Sequence, residues 1–445
     1  MKTAKLILSA LALLMLTNLT AQQAKISNFR PYGQEGINVF EAPKETDDSF
    51  DGLKVRVDGN FAQKYKALDH SNKATPNIYT DSKGTEYDLN KLYPLSSGFN
   101  LATANLNLDV QLDDGIRLAL ENYMSSRHHQ EFWVKGGYIQ VDKLPMFNNP
   151  EWYSKYVRVK IGHFQINYGD QQFRRTDNGN AMYNPFVGNY IMDAFATEIG
   201  GEVYLFPTSN VMAMVGMTNG LIKGDVLDYG ANQKKSPSIY AKLAYDKQVT
   251  EDFRFRLSGS VYTNQETPRN TLYGGDRTGS RFYFAMVPEY YLNRGVLTAS
   301  TTDNQAFSGR VNPGFNNEIT AFQINPFLKY KGLELFGVYE MASGKANSEA
   351  DKRDFTQIGA ELTYRFLPRE QLYIAGRYNQ ASGQLAGIPN DVSIDRIEIA
   401  AGWFPTKNLL LKGAYVKQNY NDFPTDNLYS EGEFNGFMIE AVVGF

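Results

Sequence analysis

Three groups of basic residues in this 445-residue chain are spaced so that they could do chemistry together. Arg158 and Lys160 stand two apart, as do Arg254 and Arg256, so an extended backbone turns both members of each pair to one face. Arg174 and Arg175 are adjacent and lie just before Asp177 and Asn178 in a polar stretch. Guanidinium and ammonium groups crowded on one surface present several strong donors, which is the chemistry of anion contact. These six side chains are the candidate anion contacts and pore-constricting residues. The plainer alternative is a solvated wall of mutually paired charges, and for Arg174 and Arg175 an ordinary loop held by an Arg–Asp pair. The alternative has support, because acids such as Asp58, Asp109, Glu202, Glu334, Glu361 and Glu440 share the same alternation and nearly balance the basic residues.

Other chemistries find less. His128 and His129 form a doublet with Glu131 as the one nearby acid, and a metal site would want further ligands at set spacing. A loop doublet at a rim fits them better, and no metal is expected. No serine motif marks a Ser–His pair with an orienting third group, so no catalytic residue is assigned. Gly200-Gly201 and Gly274-Gly275 open no helix and read as bulges or turns rather than phosphate cradles. There is no cysteine, hence no disulfide or thiol chemistry. No cofactor is implied.

The elements that must position the basic pairs are strands. The last twelve residues place Phe437, Ile439, Ala441, Val443 and Phe445 on one face, while the opposite face mixes Met438, Val442 and Gly444 with Glu440. One apolar face and one mixed face suit a strand between lipid and water, provided its sheet closes. The pattern recurs at 53–61, 102–111 and 253–264, and near 116, 131, 156, 198, 210, 238, 281, 319, 333, 354, 371, 394 and 408. Short connectors such as 113–115, 330–332 and 405–408 alternate with long polar ones such as 67–96, 169–196 and 266–280. Short turns on one rim and long loops on the other are the mark of an outer-membrane barrel.

Composition agrees. The chain is rich in Tyr (29), Phe (28) and Gly (38), and no stretch after the N-terminus is long and apolar enough for a membrane helix. Lys2 and Lys5, then the apolar run Leu6–Leu16 and small residues up to Ala21, read as a signal peptide over 1–21. Without its two lysines, 43 basic residues face 48 acidic ones, which argues against a nucleic-acid partner. Residues 22–50 show no period and read as a periplasmic tail outside the main domain; 51–445 is the barrel. Seventeen segments alternate, and the rims demand an upward strand hidden in 293–317, which gives 18. Sixteen results if a weak segment such as 131–144 is no strand. Pro288 and Pro326 imply interruptions. Tyr245, Tyr262, Tyr339, Tyr364, Trp403 and Tyr415 are candidates for interfacial girdles.

The run Val157-Arg-Val-Lys-Ile-Gly-His-Phe-Gln-Ile-Asn-Tyr-Gly169 resembles the fifth-strand segment of the phosphate-selective porins O and P family, where a strand with Gly-x-Phe leads into a pore-narrowing loop. Here Gly162-His163-Phe164 leads into Gln171–Asn178, then Asn184-Pro-Phe-Val187 and Gly200-Gly-Glu202, and the order of segments is similar from about 51 onward. The resemblance implies a passive homotrimeric channel with a loop folded into its lumen. It departs at His163, where the family commonly has Arg, and no lengthwise rank of lumen arginines is recognisable.

The expectation is thus an all-β transmembrane antiparallel barrel of 16–18 strands in the outer membrane. Its partners would be outer-membrane lipid and small hydrophilic solutes or anions, which pass a lumen narrowed by loop 169–196. A non-conducting structural or assembly barrel, and a barrel for a specific organic substrate, are the alternatives. A plugged barrel is disfavoured because 22–50 is short and polar.

Overall fold

The computed structural model describes residues 23–46, 50–126, 132–220, 226, 235–274, 283–305 and 308–445. The segment 1–21 expected as a signal peptide, His128, His129, Glu131 and Gly275 lie outside the described residues. Sixteen strands form one closed antiparallel barrel. In chain order they are β1 Lys54–Ser71, β2 Thr103–Asp113, β3 Ile116–Ser125, β4 Phe132–Val141, β5 Val157–Gln165, β6 Thr197–Thr208, β7 Val211–Thr218 and β8 Ser238–Gln248. The second half runs β9 Phe253–Asn264, β10 Glu318–Tyr330, β11 Leu333–Lys345, β12 Arg353–Phe366, β13 Leu372–Gly383, β14 Val392–Thr406, β15 Leu409–Asn421 and β16 Gly432–Gly444. Each strand pairs with its neighbours in sequence. Closure comes from β1 on β16, in register from Asn60 opposite Gly444 to Ser71 opposite Glu433.

Closure removes every edge, so the strand backbones of the wall pair with one another rather than with water. The outward side chains are the apolar ones, among them Ile161, Ile239, Leu243, Ile399, Phe437 and Ile439, all exposed on the barrel surface. This is the band that lipid covers. Tyr245, Tyr339, Tyr364 and Trp403 are exposed on the same surface and Tyr415 is partly so, whereas Tyr262 is fully buried in the lumen. Tyr262 shares the even-numbered parity of Arg254 and Arg256, which excludes it from a girdle.

The count of 18 is corrected. The segment near 131 is a true strand, and the one read at 281–292 is not. Phe284 and Met286 have positive φ, which breaks an extended run, and Tyr283, Ala285 and Met286 are buried inside the barrel. Among the described residues of 293–317, the strand found is Val296–Ala299, which forms a short ladder with Tyr290–Asn293 apart from the barrel. Pro326 lies within β10 without a register shift. It has no N–H to give, and the Asn325 side chain donates to Gly337 O instead, at 3.1 Å.

Residues 23–46 are corrected too. They are not a tail outside the domain: they pack within the barrel at the short-turn rim. Gln34 N donates to Lys407 O at the β14–β15 turn, and Phe40 is buried against Phe327 and Phe336. The polar character that suggested a free tail matches the polar lumen wall. Among the described residues three segments thus enter the lumen: this strap, the loop 166–196, and parts of the β9–β10 connector, whose Tyr273 and Tyr283 donate to Glu340 and Glu398.

Candidate constriction site

The loop between β5 and β6 crosses the lumen and is fastened around its circumference. Gly169 N donates to Ser260 Oγ (3.1 Å) on β9, and Asp170 N to Asn325 Oδ1 (2.8 Å) on β10. Gly179 N donates to Asn105 Oδ1 (2.7 Å) on β2. On the far wall, Lys412 of β15 donates to the carbonyls of Ala181, Asn184 and Phe186, each at 2.8 Å. Gly179 lies directly against wall backbone: a Cβ there would stand 2.6 Å from Ala104 Cα and 2.8 Å from Asn60 O. Only glycine lets the loop backbone lie so near the wall.

Beside the loop, between β2–β6 and the strap, is a cavity of about 180 Å³. Arg30, Arg117, Lys135, Arg158, Lys160 and Arg175 line it against Glu41, Glu121 and Asp177. Lys160 lies over two rings, 4.3 Å from the centroid of Tyr138 and 4.2 Å from that of Phe164, with Glu202 at 3.6 Å. Arg158 donates to Asp142 (2.8 Å) and to the strap carbonyls of Ala42 (2.8 Å) and Pro43 (2.7 Å). Arg175 holds Asp193 by two bonds, at 3.0 and 2.7 Å.

The other three predicted residues lie elsewhere. Arg174 turns away from its neighbour to the opposite wall, where Glu361 (3.4 Å) and Glu334 (3.5 Å) receive it. Arg254 is clasped by Asp246 at 2.8 and 2.6 Å. Arg256 forks onto Asp170 at 2.8 and 2.9 Å and reaches Glu41 at 2.8 Å. The β5 and β9 pairs therefore do not form one basic patch; the strap runs between them and bonds to both. Burial drives the carboxyls of Asp170 and Glu41 upward, but Arg256 and Lys242 outweigh it and hold both below the ordinary carboxylate range. Asp177 is held low in the same way by Lys135 and Arg175.

Sequence reasoning missed Lys135. Glu121 pairs with Gly136 and Asn122 with Val134, so Lys135 is the extra residue of a β-bulge. The bulge turns it into the lumen, where it meets Glu121 (3.2 Å) and Asp177. The break in alternation at Lys135-Gly136-Gly137 was the available signal. Arg30 was missed because its segment has no period; it donates to Phe173 O at 2.8 Å and lies 4.0 Å over the Tyr183 ring. Among the described residues, no three His, Asp or Glu side chains are grouped so as to hold a metal.

Neither a protein-family model nor a curated protein sequence matches the chain. Solved structures do match in shape. The outer membrane channel DcaP of Acinetobacter baumannii superposes with TM-score 0.50 at 11% identity, covering 89% of this chain and 99% of that one. An anion-selective porin from Comamonas acidovorans gives 0.49 at 11% identity over 88% and 100%. OprB of Pseudomonas putida gives 0.47 at 12% identity over 88% and 94%. At these identities the DcaP likeness is one of fold. With the closed wall and the apolar outward band, it makes this chain a 16-stranded β-barrel of the outer membrane.

Proposed function

We propose that the chain is a passive pore for small hydrophilic solutes with a preference for anions. The observation that carries this reading is the cavity left beside the lumen-crossing loop, with six basic side chains to three acidic ones in its lining. Asp109, Asp142, Glu202 and Asp193 pair with Arg117, Arg158, Lys160 and Arg175 from outside that lining, so the basic groups outnumber the acidic ones only at the surface that a solute would meet. An excess of one sign at a narrowing biases passage by charge where screening by bulk water is weak. The phosphate-porin resemblance points the same way, and with it comes the proposal of a homotrimer.

The test is the zero-current potential of the purified protein in a planar bilayer under a salt gradient, repeated with phosphate. Anion preference that phosphate blocks supports a phosphate pore, and large weakly selective steps support a general one. A second reading has its own observation: three segments occupy the lumen, as a structural or closed barrel would have. Absence of any steps would favour it and overturn the pore.

A further inference from the structure

The strap meets the lumen wall as a ligand meets a site. Glu41 places one carboxylate oxygen 2.9 Å from Lys242 Nζ and 3.2 Å from Asn167 Nδ2, and the other 2.8 Å from Arg256 Nη2. Lys242 and Arg256 are both buried and come from adjacent strands, β8 and β9. Charges around them can be paired off. Arg254 is matched by Asp246, and Asp170 supplies one negative charge to the two cations. The second negative charge comes from Glu41, on a segment outside the barrel wall. Arg256 also lies 4.2 Å over the ring of Phe40, so residues 40 and 41 cover one guanidinium together. Phe40 in turn seats on Phe327 and Phe173, with centroids 5.3 and 5.9 Å away. Glu41 is part of the cavity lining, so the site it occupies borders the space a solute would use.

We propose that Glu41 is a tethered counter-anion: it fills an anion site built by Lys242, Arg256 and Asn167, and thereby sets the charge selectivity of the lumen. The site takes a planar or tetrahedral oxyanion, a carboxylate or phosphate, because its donors converge on two oxygens from different directions. With the Glu41 charge removed, Lys242, Arg254 and Arg256 share only Asp170 and Asp246, one positive charge is in excess, and a mobile anion takes the place of Glu41. This inference rests on the pore reading for its effect on current, but not for its effect on binding.

Glu41→Gln removes the charge and keeps an acceptor, and Glu41→Asp keeps the charge on a shorter stem. Folding of each is checked by heat-modifiable migration in detergent gels. In bilayers, Glu41→Gln is expected to shift the zero-current potential toward anions while Glu41→Asp stays near the parent. In detergent, calorimetry with inorganic phosphate is expected to show Glu41→Gln binding about tenfold more tightly than the parent, the worth of one charge-assisted bond. Parent-like phosphate binding in Glu41→Gln would overturn the proposal, as would an equal shift in both variants. If no protein conducts, the pore reading falls and the calorimetry alone decides whether the site exists.

Discussion

Gln357 and Met192 exchange a pair of hydrogen bonds across the lumen wall. The side-chain amide on β12 donates to Met192 O at 2.7 Å and accepts from Met192 N at 2.8 Å. A wall side chain thus serves one loop residue as a strand neighbour would, satisfying both of its backbone groups in a buried place. Ile191 N is received by Asn379 Oδ1 at 2.7 Å beside it. The loop is seated through its backbone, which explains why its own sequence carries so little periodic signal.

Gln357→Leu should therefore unseat the loop locally. It leaves the N–H and C=O of Met192 unpaired, at a cost of about 1–3 kcal/mol for each group. The expected result is a lower unfolding midpoint in heat-modifiability gels and noisier open-channel current, with the barrel still formed.

Gly179→Leu should do the same from the opposite wall. Its side chain meets the backbone of Ala104 and Asn60, which cannot turn aside as a flexible side chain would. Larger single-channel steps and protease cleavage within 166–196 are expected; parent-like steps and protection would show that the loop tolerates displacement there.

Selectivity should separate the cavity lysines from Arg174. Lys135→Ala and Lys160→Ala each remove a cation from the cavity lining and should reduce anion preference in the zero-current potential. Arg174→Ala should lower stability instead, because its guanidinium answers Glu334 and Glu361 away from the cavity. A larger selectivity change in Arg174→Ala than in Lys160→Ala would contradict this placement.

Acid should loosen the strap and the loop together. The carboxyls of Glu41 and Asp170 titrate below their ordinary values when folded, so the stability they contribute is fully present above the unfolded range near pH 3.9–4.3 and is lost as pH falls through the folded values. Acid titration followed by tryptophan emission should show a transition below about pH 4. In Asp170→Asn the acid-dependent part should shrink, at a constant cost of about 3–5 kcal/mol from the buried cations left short of a partner.

The sequence made the wall legible because a strand between lipid and lumen must alternate. Parity alone puts Arg158, Arg256 and Glu440 on the mixed, lumen-side face, and all are buried inside the barrel. The alternation misled where local chemistry ended it. Phe284 and Met286 are apolar enough for a strand, yet their positive φ folds them into the lumen, and the bulge at Lys135 hid a cation inside a segment that looked weak.

From residue order alone came the fold class, the outward apolar face and the inward placement of the wall charges, since these depend on a period of two and on what water and lipid accept. The tertiary structure alone decided which charges share a neighbourhood. Arg174 and Arg175 are adjacent in sequence and diverge to opposite partners, while Glu41 lies 201 positions before Lys242 and binds it at 2.9 Å. Closure of the ring brings β8, β9, the loop and the strap to one place, and Coulomb attraction over a few ångströms acts on that distance, to which separation along the chain is no guide.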